Sequence, residues 1–461
     1  MADAPSFANT YSLDFDGVND YIDLSSSSGL GFTGDFTLSA WVKTSAIGTD
    51  QFIIDNTNNP SNGSGYSLRF LTTGKIRFWS YLTTGLIDST TTLLPNTWYH
   101  IAATTNGTTF INNIYINGVL DVSGASGSFN VVPTTNLRIG RSALLGGPFS
   151  GNIDEPCFFS RELIQSEITT LATAPTVDLT SLNPIAWYRN GDNGSWKSPQ
   201  WLIPNNENKD KVSNYSYEFD GTLSRQIDVA TVNVGTTNTT SMWLKRSAVS
   251  TQQTLLSGSS LVFPYYYMLL FTSNDFYVRY SSAVVIGWDQ AAVKAVFNNT
   301  TDWINIVVVR SGDTVKLHLN GDNVGISPNY SSGGAIGALD TKFTDIGADI
   351  NGANPTFGTV NNLATWNVDS VLPSEIYNGG TPPDLTTLST APVNWWKMAD
   401  DATFIYNTGS TSGVWTIPDN LGANDGTSTG TIFNRVGIAP NSENNGVTIN
   451  MDFIDRELDT P

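Results

Sequence analysis

The chain has 461 residues and a net charge of −19, from 41 acidic against 22 basic side chains. A surface this acidic repels phosphate backbones and anionic lipid, which argues against nucleic acid or a membrane as partner; no apolar run approaches the ~20 residues of a membrane span. Charged residues are only 14%, and the polar load falls on Asn, Ser, Thr and Gly, which excludes coiled coils and helical bundles and suits short strands joined by turns.

The start, Met1-Ala-Asp-Ala-Pro-Ser6, has neither a basic region nor an apolar core, so no secretory leader is expected. Phe36-Thr-Leu-Ser-Ala-Trp-Val42 alternates, placing Phe36, Leu38, Ala40 and Val42 on one face of a strand. Tyr66–Phe70 and Ile76–Tyr81 read as a hairpin around Gly74. Ile114-Tyr-Ile116 runs into Asn117-Gly118, a strong hairpin signal. Arg161–Ile168 is the one helical stretch, about two turns long. Ile304–Val309 is apolar on both faces and reads as a central strand, and Val315–Leu319 leads into Asn320-Gly321. Closely spaced strands with turn signals indicate β-sandwiches.

Much of this pattern occurs twice. Tyr11-Ser-Leu-Asp-Phe-Asp-Gly17 returns as Tyr215-Ser-Tyr-Glu-Phe-Asp-Gly221, Ala40-Trp-Val-Lys43 as Met242-Trp-Leu-Lys245, Trp98-Tyr-His-Ile101 as Trp303-Ile-Asn-Ile306, and Ser166-Glu-Ile168 as Ser374-Glu-Ile376. The offset stays between 202 and 208, which indicates a duplication. Shorter Trp segments repeat as well: Asn183-Pro-Ile-Ala-Trp-Tyr-Arg189 with Ala391-Pro-Val-Asn-Trp-Trp-Lys397, and Trp201-Leu-Ile-Pro-Asn-Asn206 with Trp415-Thr-Ile-Pro-Asp-Asn420. The expected organisation is a sandwich over 1–174, a Trp-containing segment over 175–212, a second sandwich over 213–380, a second Trp-containing segment over 381–429, and a tail over 430–461. The tail has too few apolar residues to fold alone and is expected to dock on a partner.

Phe15-Asp-Gly-Val-Asn-Asp-Tyr21, Phe36–Val42, Trp98–Ile101, Tyr115-Ile-Asn-Gly118 and Gly151-Asn-Ile-Asp-Glu155 together resemble the concanavalin A-like laminin G/pentraxin superfamily. The resemblance covers residues 8–174, and 213–380 more weakly through the repeat. It implies an all-β fold of two tandem antiparallel jelly rolls. Because this fold hosts lectins, adhesion modules and glycosidases, it does not fix a function. The Trp-Trp-Lys and Trp-x-Ile-Pro-Asp segments resemble parts of structural proteins of tailed phages, marine ones especially.

Glycoside hydrolysis needs two carboxylates, and the glucanases of the superfamily resemble one another in a Glu-x-Asp-x-x-Glu strand that supplies both. No such run is present, and none of the eight Glu precedes Glu155. Glu155, Glu162 and Glu167 read as domain-edge residues. The two histidines, His100 and His318, read as ordinary strand residues, and the single cysteine, Cys157, as a core side chain. No cofactor is expected. The resemblance implies a structural calcium. Asp14, Asp16, Asp20, Asp23 and Asp154 supply oxygen ligands of the right type but equally build turns, and copy two has Asn361 in place of Asp154. No ligand set is assigned.

Aromatic rings are the usual partners of sugar faces. Trp79 and Tyr81 share one strand face, and Tyr277, Tyr280 and Trp288 cluster in copy two; these five are the candidate carbohydrate-binding residues. Trp41 and Trp243 recur at equivalent places and read as structural. The sequence therefore leads to a non-enzymatic virion protein of a tailed phage, assembled in the host cytoplasm, with other virion proteins and host-surface glycans as partners and self-association left open. The alternative reading is a secreted glycan-binding module or a glycoside hydrolase of the same superfamily, with an exported bacterial adhesin as a lesser option.

Overall fold

The structure is a computed structural model. It describes residues 9–457 apart from 26, 28, 59–64, 81–84, 126–135, 174–177, 198–199, 209–210, 224, 250–251, 259–267, 273–274, 282, 350–351, 407–412, 422–423, 430–433, 437–438, 443 and 452. The chain divides into two compact units: unit 1 is Met1–Lys211 with Glu443–Pro461, and unit 2 is Val212–Ser442.

Unit 1 is two antiparallel sheets. The first runs Val119–Ala125, Ile111–Ile116, Tyr99–Asn106, Phe36–Thr44, Ser150–Phe159, Ser12–Asp16 and Arg456–Glu457, with Ala186–Trp187 also paired to Ser150–Phe159. The second runs Ser195–Lys197, Gln200–Ile203, Gly446–Ile449, Tyr21–Asp23, Arg138–Ile139, Gln51–Asp55, Tyr66–Phe70, Lys75–Ser80 and Leu86–Thr92. The period-2 pattern decides what lies between them. Phe36, Leu38, Ala40 and Val42 of the first sheet meet Ile54, Leu68, Phe70, Ile76 and Phe78 of the second in one core. Each large side chain so buried is worth about 1.5–3 kcal/mol. Asn117 and Gly118 both take positive φ, 49° and 78°, as the tight hairpin requires.

Unit 2 repeats this topology. Its first sheet runs Thr314–Leu319, Ile304–Ser311, Thr237–Arg246, Phe357–Trp366, Ser216–Asp220 and Asn434–Val436, with Asn394–Trp396 beside Phe357–Trp366. Its second runs Tyr330–Ser332, Val285–Trp288, Asp275–Arg279, Met268–Thr272, Gln253–Ser257, Thr341–Ile346, Gln226–Gly235, Gly426–Thr429, Gly413–Ile417 and Thr403–Tyr406. The all-β jelly-roll expectation is met in both halves. Gly140 and Gly347, at φ 90° and 92°, sit against the rings of Phe15 and Phe219, where any Cβ would overlap the ring.

Three expectations change. The helix is Gln165–Thr173, later than the stretch at Arg161–Ile168. Glu167 reaches back to accept from the Ile164 N–H at 3.0 Å, capping the helix there, while Leu163 N is taken by Thr37 Oγ1. A further helix, Ala291–Phe297, buries Val293 and Phe297. The third change concerns residues 430–461: their described strands, Asn434–Val436, Gly446–Ile449 and Arg456–Glu457, join the sheets of the two units.

Both units close in the same way. In unit 2 the hairpin Thr403–Tyr406/Gly413–Ile417 is followed by Gly426–Thr429 alongside Gln226–Gly235, then by Asn434–Val436 alongside Ser216–Asp220. In unit 1 the corresponding hairpin is Ser195–Lys197/Gln200–Ile203, but the two closing strands are Gly446–Ile449 and Arg456–Glu457, from the far end of the chain. The contacts correspond one by one. Asn205 N donates to Asn445 Oδ1 as Asp419 N donates to Asp425 Oδ1, both at 2.9 Å. Trp187 N donates to Asn205 Oδ1 as Trp395 N donates to Asp419 Oδ1. Arg456 lies over Trp201 and Tyr11 as Arg435 lies over Trp415. Unit 2 is thus inserted into the first repeat, between its Trp hairpin and its closing strands. The Trp segments pack on their own jelly rolls: Trp187 with Cys157, Phe159 and Leu163, and Trp395 with Ala364 and Trp366.

Candidate functional site

Side chains on the side of the second sheet of unit 1 that faces away from its core are ordered by its register, some partly exposed and some, among them Asp55, Ser67 and Phe52, buried. Arg138 stands opposite both Asp23 and Asp55, Asp55 opposite Ser67, Ser67 opposite Trp79, and Trp79 opposite Leu86. One row therefore crosses six strands as Asp23, Arg138, Asp55, Ser67, Trp79 and Leu86. The next row carries Phe52, Arg69, Arg77 and Asp88. Alternation makes this face: Ile76, Phe78 and Ser80 turn inward, and Lys75, Arg77 and Trp79 turn outward and are partly exposed.

The polar groups of the face are held in definite states. Asp88 grips Arg77 with two bonds, at 2.7 and 2.9 Å from Nε and Nη2, and this keeps its carboxyl below the usual range. Asp55 is buried, which raises its pKa, while Thr57 Oγ1 donates to it at 2.8 Å. The guanidinium of Arg69 lies over Phe52 at 4.9 Å, and that of Arg138 over Tyr21 at 4.1 Å.

Of the five candidate rings, Trp79 lies in this row, partly exposed. Tyr81 falls outside the described residues. Tyr277 is partly exposed on the outer side of its strand, edge-on to Tyr330 at 6.2 Å. The other two require correction as sugar-stacking rings. Tyr280 is 1% exposed with Arg310 over its ring at 4.6 Å, and Trp288 is 0% exposed with Nε1 donating to Ile326 O. Both are interior and present no face to a ligand. Tyr277 and Tyr280 are an odd number of residues apart, so one strand turns them to opposite sides. The residues that sequence reading missed are Arg69 and Arg138. Their outward phase is visible beside Leu68 and Ile139, but their neighbours come from other strands.

The other candidate chemistry is enclosed. Glu155 is not at the domain edge: it is buried at a bulge with φ 49°, pairs with Arg189 at 3.0 Å, and accepts from Trp187 Nε1. Burial raises it to about 7, and raises the neighbouring Asp154 well above its usual range. Glu162 accepts from Asn106 Nδ2, and Glu167 is bonded to Arg161. Ser39 Oγ lies 2.8 Å from His100 Nε2, but both are buried, His100 Nδ1 has no partner, and burial pushes the imidazole down to about 3. His318 Nδ1 bonds to the carbonyl oxygen of Asp322. Among the described residues no three His, Cys, Asp or Glu side chains converge as a metal site. Asp16 and Asp23 instead accept turn N–H groups, of Val18 and Ser25 respectively. Trp243 stacks on Tyr377 at 5.6 Å, and Trp41 sits edge-on to His100.

The concanavalin A-like lectin/glucanases superfamily matches two segments, residues 16–169 and 220–376, together more than half of the chain. The chain belongs to this superfamily. Its two matched segments are the two jelly rolls. No curated protein matches the sequence. Among solved structures, a Bacteroides ovatus protein described as carbohydrate-binding is 22% identical, covers 43% of this chain and 56% of its own, and has a TM-score of 0.36; this chain thus spans little more than half of that protein. The LG4-5 domains of mouse laminin alpha1 are 12% identical over 81% of this chain and 93% of theirs, at a TM-score of 0.28. The CBM40 of a Ruminococcus gnavus sialidase, solved with α2,3 sialyllactose, is 14% identical over 36% of this chain and 99% of its own, at 0.31. Likenesses at this level say nothing about a ligand.

Proposed function

We propose that this superfamily member is a non-catalytic glycan-binding protein carried on a tailed-phage particle, where its jelly rolls serve adhesion to host-surface glycans. The observation that carries the binding reading is Trp79: a partly exposed indole on the outer side of its strand, in register with the buried Ser67 and one row from the partly exposed Arg69 and Arg77. A flat apolar ring beside a few fixed polar groups suits the face of a sugar, which is apolar on its C–H side and ringed by hydroxyls.

Two features support a non-catalytic role. The adjacent acids Asp154 and Glu155 are buried, Asp154 accepting from Asn9 Nδ2 and Glu155 from Trp187 and Arg189, and of the acids on the Trp79 face, Asp88 is bound by Arg77, Asp55 is buried and Asp23 accepts from the Ser25 N–H. A glycosidase requires two accessible carboxylates flanking the substrate. The particle reading rests on the likeness of the Trp segments to phage structural proteins and on a single buried cysteine, Cys157, which allows no intrachain disulfide and fits assembly in a reducing cytoplasm.

Affinity electrophoresis in gels cast with polysaccharides tests the binding reading. The protein is expected to be retarded and its Trp79→Ala variant is not; equal mobility of both in every gel contradicts it. Reducing-end assays on the same polysaccharides are expected to stay blank. Mass spectrometry of purified particles tests the location, and absence of the protein from them overturns it.

A further inference from the structure

In a chain of net charge −19, the second sheet of unit 1 turns Lys75, Arg69, Arg77 and Arg138 to one face, and Arg141 stands with Arg138 close enough to influence Tyr21. Arg77 is occupied by Asp88. Arg69, Arg138 and Arg141 are different. The Nε of each is buried without a hydrogen-bond partner, and no group among the described residues accepts from Arg69 or Arg138. Each of these two instead has its guanidinium carbon over a ring, Phe52 or Tyr21. A guanidinium has five donors in a planar fork, and a buried charged donor left unmade costs more than a neutral one. A ligand oxygen would relieve that cost. Among the described acids beside them, Asp55 is turned into a hydrogen-bonded nest with Thr57 and is disfavoured as an anion by burial, Asp23 accepts from the Ser25 N–H, and Asp50 accepts from the Thr72 N–H.

Unit 2 supplies a built-in comparison. At the matching ladder positions it carries Leu270 for Arg69, Asp345 for Arg138, Arg279 for Trp79, Thr254 for Phe52 and Gln226 for Tyr21. The ring-backed arginines and the indole are thus replaced together, and one arginine position becomes acidic.

We propose that this face of unit 1 binds an acidic glycan, a polysaccharide bearing carboxylate or sulfate groups, with Arg69 and Arg138 taking the anionic groups and Trp79 stacking on a sugar ring. The proposal rests on the glycan-binding reading above and deepens it. Three strand-to-strand steps separate Arg138 from Trp79, roughly 14 Å at ~4.8 Å per step, so several sugar units are engaged together. A carboxylate offers two oxygen acceptors in a plane and a sulfate three about a tetrahedral sulfur, and a planar fork can take two oxygens of either.

Titration calorimetry of the full chain with polygalacturonate, dextran sulfate and neutral dextran tests this. At least one polyanion is expected to bind ten-fold or more tightly than dextran, despite the overall negative charge of the protein; which one identifies carboxylate or sulfate as the source. Arg69→Gln and Arg138→Gln are each expected to lose that advantage, their affinity for the polyanion falling ten-fold or more. If either variant fails to fold, the wild-type salt dependence decides: affinity for the polyanion must fall between 0.05 and 0.3 M salt on the order of several-fold. Dextran bound as tightly as the polyanions, through Trp79, would overturn the acidic preference and leave glycan binding standing. Polyanion binding that both arginine variants retain would overturn the assignment. Failure of all three polymers removes both readings.

Discussion

The backbone N–H of Trp201 donates to Thr448 Oγ1 at 2.8 Å, across 247 positions of chain. In unit 2 the same bond, from Trp415 N to Ser428 Oγ at 2.9 Å, spans 13. Unit 1 therefore completes its second sheet only with strand Gly446–Ile449, which reaches it after the whole of unit 2 has been traversed. Contacts this distant in sequence delay closure.

Ending the chain at Ser442 is expected to lower or abolish the thermal transition of unit 1 while leaving that of unit 2 in place, as read by differential scanning calorimetry. A milder probe is Gly446→Val: a Cβ there meets Ile22 Cγ2 at 2.5 Å, and overpacking of this kind costs about 1–3 kcal/mol. Both transitions moving together would show that the segment does not belong to unit 1.

A second expectation concerns pH. Glu155 is raised in the folded state to about 7 from 4.5, and Asp154 is raised from 3.8. A carboxyl raised on folding binds its proton more readily in the native state, so its stabilising contribution is full below the unfolded pKa and is lost as pH rises through the folded one. Unit 1 is expected to be less stable at pH 8 than at pH 5. Unit 2 carries Asn361 and Asn362 at these places. Asp154→Asn is accordingly expected to raise the melting temperature at pH 8 by a few degrees, with a smaller effect at pH 5. Melting curves at the two values check this; an equal shift at both would contradict it.

The aromatic residues separate by role. Trp288→Ala, deep in the sandwich of unit 2, is expected to cost about 3–5 kcal/mol and to leave polysaccharide retention unchanged. Trp79→Ala and Tyr277→Ala, on partly exposed outer faces, are expected to change stability by less than about 1 kcal/mol. Urea titrations of the three variants decide this.

Much of the fold was legible because alternation is local: Phe36, Leu38, Ala40 and Val42 announce their strand and its buried face without help from elsewhere. The site was legible only in part. The opposite phases of Trp79 and Phe78 could be read, but the row from Trp79 to Arg138 exists only through register among strands far apart in sequence. Tyr280 and Trp288 were misplaced because local crowding of rings says nothing about side, although the phase of Phe276, Val278 and Tyr280 already pointed inward. The closing strands were missed because Asn445-Gly446 and Asp425-Gly426 are too short to stand out as a repeat.

Hydrogen exchange of the full chain with and without a bound polysaccharide tests the central claim most directly, because it reads the bound face rather than the loss of a side chain. Added protection is expected in Tyr66–Phe70, Lys75–Ser80 and Leu86–Thr92 of unit 1. Protection confined to unit 2, or none at a polysaccharide concentration that retards the protein, would contradict it.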